Sequence, residues 1–80
     1  MDEQLRQRIS MNPRVMTGKP VIKGTRIPVE MIVRMLAQGM SEDEILKEYP
    51  RLRREDIRAA LAFAAEVLAD EDIFALTLPD

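Results

Sequence analysis

Four arginines within eight positions, Arg51, Arg53, Arg54 and Arg58, make the densest run of positive charge in this sequence. Guanidinium groups so spaced suit phosphate oxygens, which they grip with paired hydrogen bonds, and the acceptor edge of guanine in a major groove. The same four also fit a solvated helix face, with Arg54 and Arg58 four residues apart and Glu55 beside them as an ion-pair partner. Residue types alone leave those two readings open. Lys23 and Arg26, in a turn-rich stretch upstream, would join a phosphate-binding face if the fold brings them close.

Catalysis has few parts to draw on. The 80 residues contain no histidine and no cysteine, so the commonest general base, the thiol nucleophile and the imidazole metal ligand are all absent. Glu42, Asp43 and Glu44 are consecutive and point around a helix instead of converging, which favours a solvated first turn over a metal site. The stretch Gly18-Lys19-Pro20 through Lys23-Gly24-Thr25 matches neither a P-loop nor a dinucleotide fingerprint, and Pro20 removes an N–H that a phosphate loop would use. We therefore expect a protein that is not an enzyme and holds no metal and no cofactor.

The C-terminal stretch has a different character. All twelve Lys and Arg lie within residues 1–58, against nine acids there, whereas residues 59–80 hold five acids and no base. The front carries a net +3 and the back −5, an asymmetry that suggests two surfaces with different partners. Leu68, Ile73, Phe74, Leu76 and Leu78 interleave with Asp70, Glu71, Asp72 and Asp80. Such a segment either completes the chain's own core or docks on a basic partner, and docking is the favoured expectation, with Leu68, Ile73, Phe74, Leu76, Leu78, Asp70 and Asp72 as the contact residues.

The elements that must position these groups follow from periodicity. Residues 1–8 are mostly polar and read as a flexible N-terminus. Residues 9–28 alternate short extended pieces with turn formers such as Asn12-Pro13 and Lys23-Gly24, which predicts a small β-element. Val29, Ile32, Val33 and Leu36 then fall on one helical face that stops at Gly39, predicting a helix over 29–38. Ser41 with Glu44 forms a capping box, so a second, short helix is expected over 42–48 and ends at Pro50. A third begins near Arg54, with Ile57, Ala60, Leu61, Ala64 and Leu68 as its inward stripe. The chain thus divides into 1–8, a domain over 9–68 and an acidic, apolar tail over 69–80. A capped short helix, a tight connection and a longer helix opening with arginines is the outline of a helix-turn-helix.

Size adds a constraint. A single core in a domain this small supplies roughly 3 to 5 kcal/mol. Without cysteine or histidine there is no disulfide framework and no strong metal ligand beyond carboxylates, so oligomerisation is the remedy left, which points to a homodimer. The polar start and the lack of any apolar run near the ~20 residues needed to cross a bilayer predict a cytoplasmic protein that neither spans nor leaves through a membrane. The six methionines suit adaptable filling of a core or interface.

The block Gly18-Lys19-Pro20-Val21-Ile22-Lys23-Gly24-Thr25-Arg26-Ile27-Pro28-Val29, followed by Gln38-Gly39-Met40-Ser41, Ile45, Tyr49-Pro50-Arg51-Leu52 and Glu55-Asp56-Ile57-Arg58-Ala59-Ala60-Leu61, closely resembles the prokaryotic family known as domain of unknown function 433. The resemblance covers about residues 9–68. It implies a mainly α fold, a three-helix homeodomain-like helix-turn-helix with a small N-terminal β-element. It also implies a VapB-like antitoxin, a homodimer that represses its own operon through operator DNA and neutralises a PIN-like ribonuclease toxin encoded by an adjacent gene. On that reading Arg51, Arg53, Arg54 and Arg58, with Lys23 and Arg26, face DNA, while the segment from Glu66 onward covers the toxin.

One position departs from the family pattern, which often has Ser or Thr where this chain has Arg53. The change removes a side-chain N-cap worth about 1 kcal/mol and adds a cation where DNA would pass. Arg26 has a rival role as a tie between the β-element and a helix carboxylate such as Glu30, and this structural role is slightly favoured.

Overall fold

The computed structural model describes residues 1–14 and 18–70. Its elements are α1 (Glu3–Arg6), β1 (Ile9–Ser10), β2 (Val21–Ile22), α2 (Val29–Ala37), α3 (Glu42–Glu48) and α4 (Arg54–Asp70). The fold is mainly α with a small N-terminal β-element, as the periodicity and the family resemblance both predict.

The β-element is an antiparallel pair in which Ile9 faces Ile22 and Ser10 faces Val21. A turn through Gly24, at φ +82°, brings the following strand of chain back along β2. Ile22 N–H donates to the Ile27 carbonyl at 3.0 Å, and Val29 N–H to that of Pro20 at 2.9 Å. Thr25 fixes the turn from inside: its hydroxyl donates to the Ile22 carbonyl at 2.7 Å and accepts from Ile27 N–H at 3.0 Å. β2 is thereby held on both edges, and its side chains, Val21 and Ile22, are buried.

Chain-specific caps set the helix ends. Gly39, at φ +98°, closes α2 in a left-handed turn in which Met40 N–H reaches the Met35 carbonyl and Gly39 N–H that of Leu36, satisfying carbonyls the helix leaves open. At α3 the capping box is complete: Glu44 N–H donates to Ser41 Oγ at 3.1 Å, and Ser41 N–H to Glu44 Oε1 at 2.8 Å. α4 starts differently. Arg53 has no hydroxyl to offer, but its own N–H donates to Asp56 Oδ2 at 2.9 Å, the reciprocal half of a capping box supplied by an aspartate.

Ile22, Val29, Ile32, Met35, Ile45, Leu52, Ile57 and Ala60 form the core. On α2 the stripe is centred on Ile32 with Met35 buried behind it, while Val33 and Leu36, expected at its middle, are half-buried. On α4, Ile57 and Ala60 are buried as expected, but Leu61 is 43% exposed and Leu68 55%. Leu61 directly follows buried Ala60, so its exposure reflects a face of α4 that no neighbour among the described residues covers. Leu68 lies near the end of a helix of seventeen residues, against nine in α2, a difference of about 12 Å at 1.5 Å per residue.

Residues 1–8, expected as a flexible leader, carry a helical turn. Asp2 caps it by accepting from Gln4 N–H at 2.8 Å, and α1 rests against α4. At the other boundary α4 continues two residues beyond Leu68, to Asp70. No helix of the described residues is long and apolar enough to cross a membrane.

Candidate nucleic-acid and partner interfaces

Two surfaces of opposite character sit at the two ends of α4. The first gathers around its N-terminus and the connection from α3. Arg51, Arg53, Arg54 and Arg58 are all exposed there, so the fold does bring the basic run to the surface, but it does not leave the four equivalent.

Arg54 is engaged by α3. Its guanidinium donates to Glu42 Oε1 at 3.0 Å and to Asp43 Oδ1 at 2.6 Å. Hydrogen bonding to Asp43, then to Glu42, holds Arg54 above the ordinary arginine value. Both acids sit in the first turn of α3, where the helix dipole already favours negative charge. Glu55, the partner suggested by sequence proximity, is not the one used. Arg51, Arg53 and Arg58 form no ion pair among the described residues.

Lys23 and Arg26 part company. Arg26 joins Arg51 in a recess of about 530 Å³ between the β-element and the α3–α4 connection, lined also by Ser10, Asn12, Val21, Gly24 and Thr25. Lys23 lines a different hollow, with Gln4, Leu5, Gln7, Arg8 and Glu55. The tie anticipated between Arg26 and Glu30 does not form, because Glu30 pairs with Arg34 one turn along α2 at 2.8 Å. That i,i+4 spacing puts the two side chains on one face of the helix.

Sequence reasoning missed the ion pair that organises this end. Arg8 Nη1 lies 2.9 Å from Asp56 Oδ1, and Asp56 is 6% exposed. A signal did exist, since an acid three residues after a helix start is the N3 position of a capping box. Its partner 48 residues away carried none.

The second surface is an apolar groove of about 390 Å³ between α2 and the projecting half of α4. Val29, Val33 and Ala37 line one side, Phe63, Ala64, Val67 and Leu68 the other, with Glu30 and Arg34 at the rim. Of the residues expected to contact a partner, Leu68 lies in this groove and Asp70 is exposed at the end of α4; Ile73, Phe74, Leu76, Leu78 and Asp72 lie outside the described residues. Phe63 and Val67 were not singled out, although their i,i+4 spacing marks a shared face. Among the described residues no cluster of three or more His, Cys, Asp or Glu could hold a metal ion.

Comparison with known proteins gives a family without an activity. Residues 9–64 match the family described as "Protein of unknown function (DUF433)". An uncharacterized protein of Sinorhizobium fredii, y4eO, is 36% identical over 59 residues, which is 74% of this chain and 27% of that protein. An uncharacterized protein of Archaeoglobus fulgidus is 59% identical over 29 residues, covering 36% of this chain and 81% of that one. The crystal structure of a DUF433 member protein from Anabaena variabilis matches with a TM-score of 0.75 at 34% identity, over 84% of this chain and 66% of that one. This chain therefore spans only part of the Sinorhizobium and Anabaena proteins.

Proposed function

This chain belongs to the DUF433 family of proteins of unknown function, and we propose that it is a non-enzymatic antitoxin of a type II toxin–antitoxin system. In this reading α3, the connection over 49–53 and α4 act as a helix-turn-helix on operator DNA. The apolar end of α4, with the segment that follows it, occupies a PIN-like ribonuclease toxin encoded by an adjacent gene. The action is stoichiometric.

The observation that carries the proposal is that one helix, α4, presents both surfaces. Its start displays Arg53 and Arg58 beside Arg51, and its far half displays Val67 and Leu68, 43% and 55% exposed, along a groove. Exposed cations at a helix start suit phosphates and base edges, and exposed apolar side chains in a groove suit a protein partner. Two copies would place two such helix starts on a pseudo-palindrome.

A second reading, a protein-interaction module that does not bind DNA, draws support from Arg54. Its two carboxylate partners offset the charge that a phosphate would otherwise meet.

Co-purification of the tagged chain with the product of the neighbouring gene, beside a version ending at Glu66, tests the partner half. Capture by the full chain and loss in the shortened one is the expected result, and capture by neither removes the antitoxin reading. Binding to the chain's own promoter, measured across salt, tests the other half: an affinity that is absent or insensitive to salt leaves the interaction module.

A further inference from the structure

The recess shared by Arg26 and Arg51 has a chemistry of its own. Its polar lining consists of two guanidinium groups, the Ser10 hydroxyl, the Asn12 amide and the Thr25 hydroxyl, with no carboxylate among the lining residues. Neither arginine forms an ion pair among the described residues. Arg54, a few residues away in sequence, shows what this fold does with an arginine that has acids within reach.

The walls are fixed from behind. Thr25 Oγ1 is committed to the Ile22 carbonyl and to Ile27 N–H, so it builds the turn. Asn12 Oδ1 accepts from Arg14 N–H at 2.9 Å, which orients the amide and leaves its –NH₂ as a donor. Gly24, with nothing within 4 Å of where a Cβ would stand, keeps that side of the recess open. What the recess offers a ligand is therefore positive charge and several side-chain donors, with no carboxylate among its lining residues.

We propose that this recess is a binding site for a phosphoryl group. Two guanidiniums, a hydroxyl and an amide supply more donors than the two oxygens of a carboxylate can use, whereas a terminal phosphoryl group presents three acceptor oxygens and close to two negative charges. The volume, about 530 Å³, leaves room for what the phosphoryl group is attached to. That group is the terminal phosphate of a nucleic-acid strand or of a free nucleotide, and the chemistry of the recess is the same for both. The site shares Arg26 and Arg51 with the operator-binding reading but stands without it.

The test is a titration of the full chain followed by amide and arginine side-chain NMR, with inorganic phosphate, a nucleoside 5′-monophosphate and a short 5′-phosphorylated duplex as separate probes. Saturable shifts centred on Gly24, Thr25, Arg26 and Arg51 are expected. Arg26→Gln or Arg51→Gln should weaken binding about ten-fold, the loss of a charge-assisted contact, while Lys47→Gln on α3 should leave it unchanged. A response to the duplex and not to the monophosphate assigns the site to a phosphorylated strand end; the reverse assigns it to a free nucleotide. Shifts that persist unchanged in both arginine variants, or the absence of shifts with all three probes, would overturn the site. Loss of promoter binding with phosphate binding retained would overturn the operator reading alone.

Discussion

Arg8 and Asp56 are joined across 48 residues of sequence by a 2.9 Å ion pair, and the same aspartate accepts from the backbone N–H of Arg53. One nearly buried carboxylate thus ties the chain before β1 to the first turn of α4. Because Arg8 also accepts from Lys23 N–H through its carbonyl at 2.7 Å, the β-element is registered against the helices at the same point. Asp56→Ala should cost about 2 kcal/mol, since it removes charge-assisted bonds at a buried site and strands two donors. Urea unfolding measures it, and a loss under about 0.5 kcal/mol, the usual range for surface changes, would show that the pair has no structural weight.

Arg53 offers a change in the opposite direction. Arg53→Ser restores a hydroxyl at the start of α4 and should raise stability by about 1 kcal/mol, while lowering any affinity for operator DNA through loss of a cation. Thermal unfolding and a promoter-binding assay on the same variant read both effects. A variant that gains DNA affinity would contradict the placement of Arg53 on the DNA face.

The four arginines should not respond alike. Because Arg54 already directs a donor to each of Glu42 and Asp43, Arg54→Ala should weaken promoter binding less than Arg51→Ala or Arg58→Ala. Replacing both acids, Glu42→Gln with Asp43→Asn, should strengthen it by freeing the guanidinium. Salt titrations of each variant check the order, and equal losses at all four positions would mean that the clamp opens at no cost.

The apolar groove can be tested without disturbing the core. Val67→Asp and Leu68→Glu alter exposed side chains, so unfolding midpoints should move by the equivalent of about 0.5 kcal/mol or less. Capture of the neighbouring gene's product should be lost. A large destabilisation would instead place those side chains inside the protein's own packing.

Much of this architecture was legible because its punctuation is local. Ser41 with Glu44, Gly39 and Pro50 bound the helices within a residue or so, since each acts on the backbone next to it. What escaped notice depends on tertiary placement. α1 is four residues long and leans on α4, and isolated helices that short do not persist on propensity. The clamp on Arg54 depends on how α3 and α4 cross, which no spacing within either helix encodes. Leu61 and Leu68 have the right period for an inward stripe, yet period describes a face and not whether a neighbour reaches it.

The unequal lengths of α2 and α4 also set a gradient of amide exchange along one continuous helix. Protection should be deepest near Ile57 to Ala60, where α4 is packed in the core, and should fall off beyond Glu66, which the Met1 ammonium and Arg6 tie to the N-terminal turn at 2.8 and 3.6 Å. A partner that settles into the groove would then announce itself as a slowing of deuterium uptake over residues 67–70, so the protein carries an inbuilt reporter of its own occupancy.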